Sequence, residues 1–460
     1  MKTLLPLLLL VAPVFAEDAV PASTSPVEAA EPAAKPEPAM APVSAPVPAS
    51  AVASPAAFDK KPAAPKPVSA EDEWAFAKAT AKDTDSAAQE VAADELRLFL
   101  RRHPDAPQAA DALALLAGLR QQKGDWQSAA VALLRAIHEF PESKAVLRAK
   151  SSYLELVEKN ASRKQRPALN ELVAVPAAAD KADRLSAVWQ RASVKAPDAL
   201  FEPLAAEIRD FSVRFPEHPE GDKLQAALAR LYAANEKPAT AMLAWRKILA
   251  LFPDGALRPA AQLAIGDLYA EALRDPKKAI DAYQELIDKY HQASEVQSAL
   301  DGSARLFEEK LKQYDLAVEM EERVAKDFPK TAASLKALKT IARLQRELLA
   351  KPEEAIKTEQ RLSTMHGGQD GVDALLRAAE IARRDLKDYT RQAALLHQIA
   401  DDYASAKEAP QALYDAAGIY DADLVNAAMA IDTYKEVAAK YPKHKLAKKS
   451  AERAVKLEGK

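Results

Sequence analysis

Helical segments of this 460-residue chain end again and again in an aromatic residue or His followed by Pro: His103-Pro104, Phe140-Pro141, Phe215-Pro216, Phe252-Pro253, Phe328-Pro329 and Tyr441-Pro442. The intervals between these prolines are 37, 75, 37, 76 and 113 residues, which are one, two, one, two and three multiples of about 37.6. A fixed period of that size marks an array in which each unit buries its apolar face on its neighbours. Val175-Pro176, Tyr290-His291, Met365-His366 and Tyr403-Ala404 stand at the skipped nodes. Counting back from Pro104 puts the first unit near Pro67. The spacing therefore predicts about ten units up to Pro442, followed by a closing helix from His444 to about Leu457.

Each unit reads as two amphipathic helices and a short connector. Between Asp111 and Pro141, Leu113, Leu116 and Ala117 recur at helical spacing, Gly124-Asp125 break the helix, and Ala129, Leu133 and Ala136 form a second stripe. Composition agrees, since the chain is 49% hydrophobic but only 6% aromatic, with 11 glycines. Alanine at a crossing point lets two helices approach closely.

Leu116-Ala117, Gly124, Ala129, Ala136 and Pro141 stand at the small, turn and proline positions of the tetratricopeptide repeat, which this segment resembles. Leu228-Ala229 with Tyr232, Ala241 and Pro253 repeat the match, as do Gly266 with Tyr269, Ala279 and Tyr283, Ala317 with Pro329, and Ala430 with Tyr434 and Pro442. The resemblance covers about 69–457. Its units exceed the standard 34 residues by three or four, placed after the proline or in the connector. Long units of this kind resemble those of bacterial cell-envelope proteins such as the outer-membrane barrel-assembly lipoprotein and the Tol-Pal-associated factor. The resemblance implies an all-α, right-handed solenoid of about ten hairpins over 69–460, capped by the terminal helix, with the first helix of each unit lining a concave face.

Ahead of the array, Met1-Lys2, an apolar run from Leu4 to Phe15 and the small residues Val14 and Ala16 predict a cleaved signal peptide over 1–16. Residues 17–68 hold 12 of the 31 prolines and read as a disordered Pro/Ala-rich linker, about 150 Å long if extended. An exported, periplasmic or secreted chain follows, with no transmembrane segment after processing. There are no cysteines, so disulfides, thiolate catalysis and a lipid-bearing N-terminal cysteine are excluded.

No catalytic, cofactor-binding or metal-ligating set emerges. The seven histidines are scattered, with neither a zinc helix of the His-Glu-x-x-His kind nor a two-ligand cluster at i, i+4. Gly367-Gly368-Gln369-Asp370-Gly371 lacks the Lys-Ser/Thr of a phosphate loop and reads as a flexible turn between units. Trp74, Trp126, Trp189 and Trp245 fall on packing positions. Prolines at Arg166-Pro167 and Val175-Pro176 make the stretch between Pro141 and Pro216 the most irregular, either a bend in the array or one drifted repeat.

The candidate surface is basic. Lys336, Lys339, Arg343 and Arg346 are spaced three, four and three apart, on the side of one helix opposite Leu335, Leu338, Ile341 and Ala342. Arg305 and Arg383 hold equivalent positions on the neighbouring units. Such a strip suits the carboxylates of a protein or peptide, or an anionic envelope polymer; a solvated face neutralised by Glu347 and Glu380 is the other reading. A net charge of -3 argues against nucleic acid. The expected function is a non-enzymatic scaffold in the cell envelope. The alternatives are an accessory module of a cell-wall or polysaccharide-processing system and a purely structural spacer. Oligomeric state is left open.

Overall fold

The computed structural model describes residues 69–176 and 180–459; the expected signal peptide and linker lie outside these residues. Among the described residues the helices pair in chain order. The first hairpin joins α1 (Ala70–Thr80) to α2 (Ser86–Arg102), the second α3 (Ala109–Gln122) to α4 (Trp126–Glu139), and the third α5 (Ala145–Asn160) to the short α6 (Arg166–Asn170). Next come α7 (Lys181–Lys195) with α8 (Phe201–Arg214), α9 (Gly221–Ala234) with α10 (Pro238–Leu251), α11 (Arg258–Asp267) with α12 (Pro276–Lys289), and α13 (Glu295–Leu306) with α14 (Tyr314–Asp327). The last three hairpins are α15 (Ala332–Arg343) with α16 (Pro352–His366), α17 (Gly368–Ile381) with α18 (Tyr389–Asp402), and α19 (Ala409–Ala422) with α20 (Ala427–Lys440). A single helix, α21 (Leu446–Glu458), closes the array. Ten hairpins and a closing helix are what the proline period predicts.

The signature residue ends the second helix for a steric reason. The ring of a proline clashes with a helical residue before it and pushes that residue toward extended φ. His103, Phe140, Phe215, Phe252, Phe328 and Tyr441 accordingly sit at φ of -129°, -126°, -131°, -121°, -122° and -126°. Tyr290 and Tyr403 adopt -128° and -132° with no proline behind them, so docking of the ring in the stack also holds this conformation.

In the second, sixth, ninth and tenth hairpins the turn is one left-handed residue followed by a side-chain cap. Gly124, Arg274, Lys387 and Val425 have positive φ, and Asp125, Asp275, Asp388 and Asn426 after them accept the backbone N–H of Ser128, Lys278, Arg391 and Met429. These connectors are two to four residues long, so they do not hold all the extra length of the units. Four consecutive first helices, α11, α13, α15 and α17, instead run on through a π turn at Leu268–Ala272, Phe307–Leu311, Leu344–Leu348 and Ala382–Leu386. Each π turn inserts a residue without breaking the helix.

Close packing follows the small residues. A Cβ on Gly266 of α11 would lie 2.3 Å from the Tyr283 ring, and one on Gly302 of α13 would lie 2.9 Å from its other edge. Tyr283 is thus gripped between two first helices while its hydroxyl donates to Asp267 at 2.7 Å. The expected flexible turn at 367–371 is ordered instead. Gly367 alone separates α16 from α17, and Gly371 is needed because a Cβ there would lie 2.3 Å from the Tyr403 hydroxyl.

The irregular third unit is a truncated hairpin. Pro167 stands in the first turn of α6, where its missing N–H is tolerated, whereas Pro176 cannot continue a helix, and α6 stops after five residues in a 3-10 turn at Glu171–Val173. With no full second helix there, α7 and α8 of the fourth hairpin pack on α4 of the second. Arg184 Nε donates to the His138 carbonyl at 2.8 Å and Gln127 to the Ala199 carbonyl at 2.7 Å.

Candidate functional site

The basic stripe lies where helical periodicity puts it. Lys336 and Lys339 are exposed and Arg343 and Arg346 half-exposed, while Leu338, Ile341 and Ala342 on the other side are buried. Leu335 departs from the expectation: it is only partly buried and lines a shallow groove with Lys336, Lys339 and Arg343. Most of the cations are already engaged across hairpins. Lys339 meets Asp370 of α17 at 2.7 Å, Arg343 meets Glu308 after α13 at 2.7 Å, Arg346 meets Asp385 after α17 at 2.7 Å, and Arg305 meets Glu271 after α11 at 3.6 Å. Glu380 pairs instead with Arg384 at 3.0 Å. Among the described residues only Lys336 and Arg383 of the six form no ion pair. The second helices carry a similar ladder, with Arg391 on Glu353 and Lys440 on Asp401.

Under this face lies Glu321 of α14, 6% exposed, whose Oε2 has no hydrogen-bond partner. Burial pushes its carboxyl up to about 7; Asp301 and Glu308 add to the rise, while Lys336 and Arg343 oppose it.

A deeper concavity sits where α8 packs on α4 because the third hairpin is cut short, with α2 and α3 lining the rest of it. The cleft has a volume of about 420 Å³. Leu100, Leu116, Val131 and Ala132 form an apolar floor, with Arg97 and Arg101 of α2 on one wall and Glu202 and Arg209 of α8 on another. Arg101 and Arg209 are exposed and form no ion pair among the described residues. One end is closed by a buried charge network. Arg135 Nε donates to Glu139 at 2.8 Å and reaches Glu207 at 3.3 Å, and Arg214 also holds Glu139, whose side chain is 1% exposed. Burial works against the Arg135 charge, but Glu207, Glu139 and Asp210 more than offset it, so the guanidinium stays ionised. Burial pushes the Glu207 carboxyl above its usual range against the pull of Arg135. Sequence periodicity placed none of this, because the packing of α8 on α4 depends on the shortened helix between them.

The histidines are less scattered in space than in sequence. His138 is fully buried, its Nε2–H donating to the Leu172 carbonyl at 2.7 Å, and burial lowers its pKa to about 4. His397 and Asp401 stand at i, i+4 on α18, contrary to the reading that no such pair exists, and Glu436 of α20 joins them. No helix among the described residues is long and apolar enough to cross a membrane.

The chain resembles a Naa15/Naa10 structure bound to HypK-THB, at 14% identity and a TM-score of 0.30, covering 84% of this chain and 62% of that one, so it spans less than two thirds of that chain. It also resembles a tetratricopeptide repeat protein from Parabacteroides merdae ATCC 43184, at 14% identity and a TM-score of 0.24, covering 69% and 98%. A third likeness is to the P58(IPK) TPR domain, at 17% identity and a TM-score of 0.21, covering 76% and 98%. No curated protein matches the chain. Residues 260–292, the sixth hairpin with the Gly266 and Tyr283 contact, match the tetratricopeptide repeat family. The sixth hairpin thus matches the tetratricopeptide repeat, and the other hairpins of the array share its paired-helix form.

Proposed function

We propose that the chain is an exported, non-enzymatic scaffold of the cell envelope that binds a protein partner through an extended peptide segment, and that the cleft between α2, α4 and α8 receives it. The observation that carries this reading is the pair of guanidiniums, Arg101 and Arg209, that form no ion pair among the described residues and border an apolar floor. Arginine offers carboxylates a planar two-toothed donor, and the floor accepts the alternate apolar side chains. Export is supported by the apolar run from Leu4 to Phe15 behind Lys2 and ahead of Ala16. The test is selection from a random peptide display library with the full chain and with the Arg101→Glu/Arg209→Glu variant. Enrichment of acidic, apolar peptides by the native chain and its loss in the variant supports the cleft; equal enrichment by both refutes it.

A second reading keeps the stripe of Arg305, Lys336, Lys339, Arg343, Arg346 and Arg383 as the contact for a carboxylate-rich partner or an anionic polymer. It is favoured by Lys336 and Arg383, the two cations there that form no ion pair among the described residues. Peptides lost on Lys336→Gln/Arg383→Gln but kept in the cleft variant select it.

A further inference from the structure

From the geometry on α18 and α20 we infer that His397, Asp401 and Glu436 form a binding site for a divalent transition-metal cation, zinc by preference, that clips the ninth hairpin to the tenth. His397 and Asp401 are one helical turn apart, so their side chains leave α18 on the same side. Glu436 comes from the facing helix of the next hairpin. The His397 Nε2 lies 3.1 Å from Glu436 Oε2 and 3.8 Å from Asp401 Oδ2, and all three ligand atoms lie within 4.8 Å of one another. Four ligands at about 2.0–2.1 Å in a tetrahedron stand about 3.4 Å apart, and the two measured separations bracket that value.

The donor set suits the metal as well as the spacing does. One imidazole nitrogen and two carboxylate oxygens match the ligands zinc accepts, whereas calcium and magnesium prefer six or more oxygens. Three protein ligands leave a fourth position for water or for a group from a partner. His397 and Glu436 are a quarter exposed and Asp401 about half, so the site is open to solution. In this structure the Lys440 ammonium lies on both carboxylates, 2.6 Å from Asp401 and 2.7 Å from Glu436. Lys440 therefore already holds the two acids together by positive charge, and the divalent ion takes over that role by displacing it.

The experiment titrates the metal-free full chain with Co²⁺ as a spectroscopic probe, and with Zn²⁺ by calorimetry, beside His397→Ala and Lys440→Met. The native chain is expected to develop the intense visible bands of four-coordinate cobalt, displaced by zinc. His397→Ala, a partly exposed position that leaves helicity unchanged by circular dichroism, is expected to lose those bands and at least tenfold in affinity. Lys440→Met removes the competing charge and is expected to bind several-fold more tightly than the native chain. Absence of the bands in the native chain, or their persistence with native affinity in His397→Ala, overturns the site. Unchanged or weaker binding by Lys440→Met overturns the displacement of Lys440.

Discussion

Replacing Glu321 with Gln should stabilise the seventh and eighth hairpins above neutral pH and leave them nearly unchanged in mild acid. In the unfolded chain this carboxyl releases its proton near its ordinary value of 4.5, whereas in the fold it keeps it up to about 7. Between those values the folded state binds more protons, so stability is full below pH 4.5 and is lost as pH rises through about 7. A gap from 4.5 to about 7 corresponds to about 3 kcal/mol. Gln has nearly the shape of the protonated acid and cannot ionise, so it removes that loss. Hydrogen exchange of α13, α14 and α15, read by mass spectrometry for both proteins at the same pH, cancels the intrinsic rate. The variant is expected to exchange about a hundredfold more slowly at pH 8 and at a similar rate at pH 4.5. An equal difference at both pH values would show that Glu321 is not held protonated by its surroundings, and the account of its burial would fail.

The opposite sign is expected at His138, which is neutral in the fold down to about pH 4 but titrates near 6.5 when unfolded. Its contribution is present above pH 6.5 and lost as pH falls to 4, so between pH 7 and pH 4 the native chain should lose about 3 kcal/mol more stability in urea than His138→Leu; parallel pH profiles would contradict this. Val425 is 82% exposed with φ of 50°, a conformation that burdens a β-branched residue, and Val425→Gly should stabilise the last hairpin by about 0.5–1 kcal/mol in denaturant titration. Gly266→Ala should destabilise by about 1–3 kcal/mol, because its Cβ would press into the Tyr283 ring; an unchanged midpoint would mean that the ring has room to move.

What sequence revealed was whatever repeats locally. Phe140-Pro141 and its relatives mark helix ends because the steric rule acts between adjacent residues, so the number of hairpins and the position of α21 followed from spacing alone. Exposure of Lys339 and burial of Leu338 and Ile341 followed from helical period. The partners of the stripe did not, since Asp370, Glu308 and Asp385 lie 31 to 39 residues away and meet Lys339, Arg343 and Arg346 only once the hairpins are stacked in register. The π turns escaped for a similar reason: Phe307–Leu311 has no composition that sets it apart from an α-helical turn. Nor did the prolines near Arg166 show that α8 would land against α4. They showed where a helix fails, and the closing of the gap depends on side chains such as Arg135 and Glu207, which are 72 residues apart.

The truncated third hairpin divides the array into two kinds of cooperativity. Hairpins five to ten touch chiefly their immediate neighbours, so they should fray and re-form one at a time, as beads on a string do. The second and the fourth are joined by the Arg135, Glu139, Glu207 and Arg214 network across the shortened unit, and neither can leave the other without breaking those ion pairs. Under tension, or in the presence of a protease, the molecule should yield progressively through its later hairpins and then stop at a block that gives way all at once. A repeat that failed to complete itself thereby becomes the knot against which the rest of the chain can pull.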